Sequence, residues 1–281
     1  MKIGASTFIW VSPFSNKTLD LAEKAREMGF DILEICVEDP RTIDAKSILG
    51  RLEKNRLETT ICGAFGPDRD ASSEDASIRD QAVRYINTCV DIAQQLNSRV
   101  VAGPMYSAVG KTRLLSPSEK EQQWQWAVDS LRKAGDYAGE RNVKLALEPL
   151  NRFETDFINT AEQGLELVDR IANSNVGLLL DTFHMNVEEK DSAEAIRKAG
   201  AHIFHFHTCE NDRGTPGTGQ VNWNAVKRAL RDVRYEGPAV IEAFNSGIKE
   251  IAKAVALWRP LASSPDSLAS EGLRFLRELF A

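Results

Sequence analysis

Eight short apolar runs recur along the whole chain, and longer amphipathic segments separate them. The runs cover 2–7, 30–36, 57–62, 99–103, 143–148, 176–181, 202–207 and 238–242. Alternating strands and helices predict a parallel sheet covered by helices. Eight such units favour a closed barrel over an open sheet, and no GxGxxG follows the first run, which disfavours dinucleotide binding. The sequence therefore predicts an α/β fold: a (β/α)8 TIM barrel, one domain over 1–281, with a C-terminal helical extension near 266–280.

Composition places the chain among ordinary globular proteins and excludes several classes of partner. With 42% hydrophobic and 27% charged residues among 281, the chain is neither disordered nor a coiled coil. The net charge of −6 counts against a nucleic-acid partner. No apolar run approaches the ~20 residues of a membrane span. Four widely spaced cysteines and the lack of a signal peptide predict a cytoplasmic protein with reduced thiols.

The last four predicted strands each end in a residue that can bind a metal ion. These residues are Glu148, Asp181, His207 and Glu242, separated by 33, 26 and 35 residues, which is about one strand-plus-helix unit each time. Barrel sites lie at the carboxyl ends of the strands, so the four side chains are expected to converge. Three carboxylates and one imidazole suit Mn²⁺ or Mg²⁺, with Co²⁺ as an alternative. A cation would also relieve the repulsion between three adjacent carboxylates.

A single acid at a strand end is often only a salt-bridge partner or a helix cap. Four matching positions in consecutive units favour a shared metal site instead. All four histidines of the chain lie within this region: His184, His202, His205 and His207. Residues two apart on a strand face the same side, so we expect His205 to support His207 from one layer below, and His202 to face away.

The proposed ligands lie in four longer segments: EPLNRFE at 148–154, DTFHMN at 181–186, HFHTCENDR at 205–213 and IE at 241–242. These segments resemble the ketose 3-epimerases, the family of D-tagatose 3-epimerase and D-allulose (psicose) 3-epimerase within the xylose-isomerase-like TIM barrel superfamily. The resemblance covers essentially the whole chain, but it is thin in the first hundred residues. The ExxNRxE and DxxHMN patterns are specific to the epimerase-like group, whereas the four ligand positions alone indicate the superfamily.

The resemblance implies an isomerase with one divalent metal per chain, most often Mn²⁺, held by Glu148, Asp181, His207 and Glu242. The two glutamates would form the acid/base pair. Inverting the C3 carbinol of a free ketose removes a proton on one face and returns one on the other, through a cis-enediolate, so one carboxylate is needed on each face. The metal would act as a Lewis acid on this intermediate.

The same resemblance implies that Glu154, His184 and Arg213 bind the O1–O3 end of the sugar, that Cys62 lies near the substrate, and that the chain forms a homodimer or homotetramer.

The nearest alternative function is that of a sugar isomerase similar to hydroxypyruvate isomerase, which uses the same metal-enediol chemistry. A second alternative is an enzyme of the apurinic endonuclease group on the same barrel. Those enzymes need more histidines than this chain has, and its acidic net charge disfavours DNA binding. The third alternative function is that of a barrel that binds a sugar without catalysing a reaction.

Overall fold

Eight parallel strands close into a barrel in chain order in the computed structural model, which describes residues 1–281. The strands are β1 (Ile3–Ser6), β2 (Ile32–Val37), β3 (Glu58–Gly63), β4 (Val100–Gly103), β5 (Lys144–Leu147), β6 (Val176–Asp181), β7 (Ile203–Thr208) and β8 (Ala239–Ile241). The barrel closes where β8 pairs with β1, with Gly4 opposite Val240. The predicted (β/α)8 barrel is confirmed, and no strand boundary differs from its expected position by more than two residues.

Helices surround the barrel. They are α1 (Leu21–Met28), α2 (Ala45–Asn55), α3 (Ala76–Gln95), α4 (Pro117–Gly139), α5 (Ala161–Ile171), α6 (Thr182–Glu188), α7 (Ser192–Ala199), α8 (Trp223–Asp232), α9 (Lys249–Ala254) and α10 (Pro265–Leu279). The expected C-terminal extension is α10, which packs against β1, β8 and α8 and so lies in the helical ring over the closing seam. None of the helices has the length and apolar character to cross a membrane.

Strand alternation decides which side chains enter the barrel. On each of the last four strands one residue near the carboxyl end packs in the main apolar core between the barrel and the helices: Leu147, Leu180, Phe206 and Ile241. Successive side chains of extended chain point to opposite faces, so the residue directly after each of these four faces inward. These inward residues are Glu148, Asp181, His207 and Glu242. The period-two pattern thus brings all four to the same end of the barrel.

The pairing of β6 with β7 places Asp181 directly beside His207. The register shifts between Leu178 and Leu179, next to a close approach of the two backbones at Gly177. A Cβ atom on Gly177 would lie 2.6 Å from the carbonyl oxygen of His202, so only glycine fits there. His202 itself is exposed in a short 3-10 turn before β7, so it lies outside the strand on which we expected it.

Candidate metal centre

The four residues predicted as metal ligands meet in one buried cluster at the carboxyl end of the barrel. Glu148, Asp181, His207 and Glu242 each offer a ligand atom, and these atoms all lie within 4.8 Å of one another. None of the four residues is more than 5% exposed. Charged groups are rarely buried to this degree unless they are paired or bind a metal ion, so the cluster is a candidate site for a cation.

Two buried atoms in the cluster have no hydrogen-bond partner: Oε1 of Glu148 and Nδ1 of His207, which are 4.0 Å apart. Nδ1 of His207 also lies 3.6 Å from Oε1 of Glu242. Buried polar atoms usually have a partner, so two unpartnered ones that lie this close together leave their lone pairs free to bind a cation. Carboxylate oxygens with one imidazole nitrogen form a donor set that suits a hard divalent ion. The residues present therefore fit the expected metal.

The buried charges shift the pKa values of the cluster in different directions. Burial, and then the negative charge of Glu242, raises the pKa of Glu148 well above its usual value. Burial opposes ionisation of Glu242 too, but His207 outweighs it and lowers the pKa of Glu242. Burial would lower the pKa of His207, yet the carboxylates of Glu34 and Glu242 raise it well above its usual value. The two glutamates therefore favour opposite protonation states in the absence of metal.

Arg213 lies beside the cluster, on the loop between β7 and α8. Its Nη1 atom donates to Oδ2 of Asp181 across 2.7 Å and to Oε2 of Glu242 across 2.8 Å. The central carbon of the guanidinium lies 4.2 Å from the ring centre of Phe183 and 5.1 Å from that of Phe244. One guanidinium and one divalent ion would together balance the charge of the three carboxylates. Arg213 is thus positioned both to neutralise the site and to reach a bound ligand.

His184 projects into the same space from α6. The backbone N–H of Asn151 donates to its Nδ1 across 2.9 Å, so the neutral ring carries its proton on Nε2. Burial and the charge of Arg213 lower the pKa of His184, which keeps the ring neutral. Nη2 of Arg213, which can only donate, lies 2.9 Å from this Nε2. Two donors face each other here, and an oxygen that accepted from both would satisfy them.

The other two predicted substrate contacts lie on the walls around this space. Glu154 is half-buried in the loop after β5, where its Oε1 accepts from Nδ2 of Asn151 across 2.8 Å. Cys62 lies in a small apolar cluster with Phe8 and Cys36, against which Phe244 packs. The neighbouring thiol of Cys36 and burial raise the pKa of Cys62 well above its usual value. Cys62 therefore contributes a neutral thiol to an apolar wall.

Two buried carboxylates near the site were not predicted from the sequence. Glu34 on β2 lies inside the barrel with no exposed surface, and the only signal for it is a single acid within the apolar strand ILEICV. It contacts Nε2 of His205 at 2.7 Å and Nε2 of His207 at 2.9 Å, and accepts from Oγ1 of Thr60 at 2.8 Å. His205 thus lies inside the barrel below His207, where we expected a supporting histidine.

The second unpredicted carboxylate, Glu210, organises the loop that carries Arg213. It is fully buried and accepts hydrogen bonds from four N–H groups of its own loop and the following helix. The donors are the backbone of Asn211, Gly217 and Val221 and the indole of Trp223, at 3.1, 2.8, 3.2 and 2.6 Å. Arg213 has a φ of 68°, a left-handed conformation that costs energy for a residue with a side chain. Glu210 therefore holds together the loop that maintains this conformation.

Comparison with known proteins agrees with this geometry. The model of the xylose isomerase-like TIM barrel family matches residues 22–279. A probable ketose 3-epimerase from Synechocystis sp. is 35% identical, and the alignment covers 100% of this chain and 97% of that protein. An L-ribulose 3-epimerase from Mesorhizobium japonicum is 34% identical, covering 98% and 93%.

The solved structures include a D-allulose 3-epimerase from Methylomonas sp. in complex with D-allulose. It is 28% identical, with a TM-score of 0.93, and the superposition covers 99% of this chain and 96% of that one. The family match and the two relatives cover nearly all of the chain. The chain therefore belongs to the xylose isomerase-like TIM barrel family and, within it, to the ketose 3-epimerases, which are isomerases.

Proposed function

We propose that this protein inverts C3 of an unphosphorylated ketose, with Glu148 and Glu242 as the acid/base pair of a metal-dependent epimerisation. The observation that carries the proposal is the buried cluster in which these two glutamates meet Asp181 and His207 within 4.8 Å. Epimerisation next to a ketone needs one group to take a proton from one face of the carbon and another to give a proton to the opposite face. Two carboxylates on strands that flank β6 and β7 meet this need.

The different surroundings of the two glutamates support distinct roles. In the metal-free cluster the pKa of Glu148 is raised and the pKa of Glu242 is lowered, so the two carboxyl groups differ in how readily they release a proton. Titratable groups whose environments separate their pKa values are a common sign of an acid/base pair. In the reverse reaction the two residues exchange roles, because the proton then travels in the opposite direction.

A divalent ion held by Glu148, Asp181, His207 and Glu242 would supply Lewis-acid chemistry to the ketone oxygen when bound. We infer Mn²⁺ as the resident ion, with Co²⁺ or Mg²⁺ as substitutes, because the donor set is rich in oxygen. Arg213 already neutralises the outer oxygens of Asp181 and Glu242. The protein thereby holds the ligands in place for the ion.

Three side chains would orient the reacting end of the sugar. The Nε2–H of His184 and Nη2 of Arg213 lie 2.9 Å apart, and one substrate oxygen would accept from both. Glu154 would accept from a neighbouring hydroxyl, and Cys62 would line the wall beside the sugar. Because Arg213 is already paired with two carboxylates, it is poorly placed to hold a phosphate as well, which supports a free sugar.

We further propose that the protein is cytoplasmic and forms a homodimer or homotetramer. All four cysteines are free thiols, which suits a reducing compartment. Three large apolar side chains are strongly exposed and could contribute to contacts between copies: Leu114 at 103%, Phe153 at 77% and Trp258 at 76%. Light scattering of the purified protein measures the oligomeric state directly.

The reaction is tested by incubating the Mn²⁺-loaded protein with a panel of ketohexoses in D₂O and locating the label by NMR. Deuterium at C3 together with inversion of C3 is the expected result. Label only at C1 or C2 would instead identify an aldose–ketose isomerase and refute the proposal. Metal analysis of the same sample should give about one ion per chain, whereas a clearly higher number would favour the multi-metal relatives on this barrel.

A further inference from the structure

The proposed reaction uses the metal ligands and the substrate contacts, but it gives no role to Glu34, the buried carboxylate on β2. We propose that Glu34 is a positioning residue that fixes the orientation and tautomer of His207, so that Nδ1 of His207 faces the metal. Glu34 lies across the barrel from His207 and reaches it through the interior, 2.9 Å from Nε2. The inference rests on the proposed function only in taking His207 as a metal ligand.

The direction of the hydrogen bonds follows from the contacts around Glu34. Its Oε1 lies 2.9 Å from Nε2 of His207, and its Oε2 lies 2.7 Å from Nε2 of His205 and 2.8 Å from the hydroxyl of Thr60, so both oxygens are used as acceptors. An ionised carboxylate only accepts hydrogen bonds. Nε2 of His207 and Nε2 of His205 must therefore both carry protons. In a neutral ring, that leaves the lone pair of His207 on Nδ1.

The other side of the ring matches this assignment. Nδ1 of His207 is buried, has no hydrogen-bond partner, and lies 3.6 Å from Oε1 of Glu242 and 4.0 Å from Oε1 of Glu148. The opposite tautomer would direct an N–H at the cation and would remove the donor from Glu34. A metal-bound histidine commonly donates its second nitrogen to a carboxylate in this way, which strengthens it as a ligand.

Two further donors keep Glu34 itself in place. Nε2 of His205 and Oγ1 of Thr60 both lie within 2.8 Å of its Oε2, while Oε1 is left to His207. Glu34, His205 and His207 are also close enough together to be considered as a metal group. Their direct contacts of 2.7 and 2.9 Å and the added hydroxyl of Thr60 instead describe hydrogen bonds that converge on the carboxylate of Glu34. The network connects β2, β3 and β7 across the interior of the barrel.

The first test is the metal affinity of E34Q, measured by competition with a fluorescent chelator for Mn²⁺. Glutamine keeps the size of the side chain but removes the charge, so we expect Mn²⁺ affinity to fall about 10- to 100-fold. T59V is the matched control, because Thr59 is buried on the same strand as Thr60 but bonds to the carbonyl of Leu33 rather than to Glu34. Its affinity should stay within about threefold of the wild type.

Unchanged Mn²⁺ affinity in folded E34Q would overturn the inference. A second measurement covers the case in which E34Q does not fold: nitrogen-15 NMR of histidine-labelled wild type with Mg²⁺ or Zn²⁺ as a diamagnetic ion. We expect His207 to carry its proton on Nε2 and to bind the metal through Nδ1, and binding through Nε2 would refute the proposal. Neither measurement depends on turnover, so failure of the positioning role is distinguishable from failure of the proposed reaction.

Discussion

The backbone N–H of Asn151 lies 2.9 Å from Nδ1 of His184 and donates to it, which leaves Nε2–H as the atom that faces the site. His184 should therefore act as a hydrogen-bond donor and not as a base. We expect H184F to lower kcat/KM about 10- to 1000-fold, because a donor to a developing oxyanion is lost. H184Q, which retains an N–H, should lose less. Mn²⁺ affinity should be unchanged in both variants. A fall in Mn²⁺ affinity as large as the fall in kcat/KM would contradict this role.

Replacing either proposed acid/base residue should stop the reaction. We expect E148Q and E242Q each to lower kcat at least about 100- to 10,000-fold, since an amide cannot exchange protons with the substrate. Both residues also belong to the metal cluster, so bound metal must be measured in each variant and the rates compared at saturating Mn²⁺. A fully loaded variant that retains activity would refute the assignment of that glutamate.

Metal binding should release protons and strengthen as the pH rises. The metal requires ionised Glu148 and an unprotonated Nδ1 on His207, yet the pKa values of both groups are raised in the metal-free protein. Protons thus compete with the ion below these raised pKa values, and the competition disappears as the pH rises through them. We expect Mn²⁺ affinity to increase between about pH 5 and pH 8. Titration calorimetry in buffers of different ionisation enthalpy measures the released protons, and a pH-independent affinity would exclude this linkage.

Removing the carboxylate of Glu210 should disorder the loop that carries Arg213. E210A leaves four N–H groups without their acceptor, and each unsatisfied buried donor costs about 1–3 kcal/mol unless water replaces the carboxylate. We expect the free energy of unfolding to fall by at least about 2 kcal/mol and KM to rise. E236A, at an exposed position on the opposite end of the barrel, is the control and should change stability by less than about 0.5 kcal/mol. Equal stability of the two variants would show that Glu210 does not hold the loop.

The architecture and the four candidate ligands were predictable because both follow from local patterns. Strand alternation alone fixes that Asp181 and His207 face inward, and the barrel rule places strand ends at the same mouth. Helix capping is local in the same way: Thr160 and Gln163, three positions apart, form a capping box at the start of α5. These features depend on residues a few positions apart.

The positions of Glu34 and Glu210 were not predictable for a physical reason. Glu34 meets His207 across 173 residues of chain, and the contact exists only after the barrel has closed. Glu210 accepts hydrogen bonds from N–H groups of a loop whose path no sequence pattern predicts. The ion pairs of Arg213 were not predictable either, because they depend on a left-handed backbone conformation that this loop imposes. Local periodicity places side chains on faces, but it does not reveal which faces meet in the interior.

The position of α10 over the β8–β1 seam makes the metal centre depend on a helix that supplies none of its proposed ligands. Gly272 packs so closely on Ile241, the residue before Glu242, that a Cβ atom would lie 2.9 Å from it. Asp266 also accepts a hydrogen bond from the indole of Trp10 across 2.7 Å, which joins α10 to the first strand's loop. A chain shortened before Pro265 would keep every proposed ligand but lose the helix that covers the seam. Tight metal binding should therefore depend on α10, although this helix supplies none of the proposed ligands.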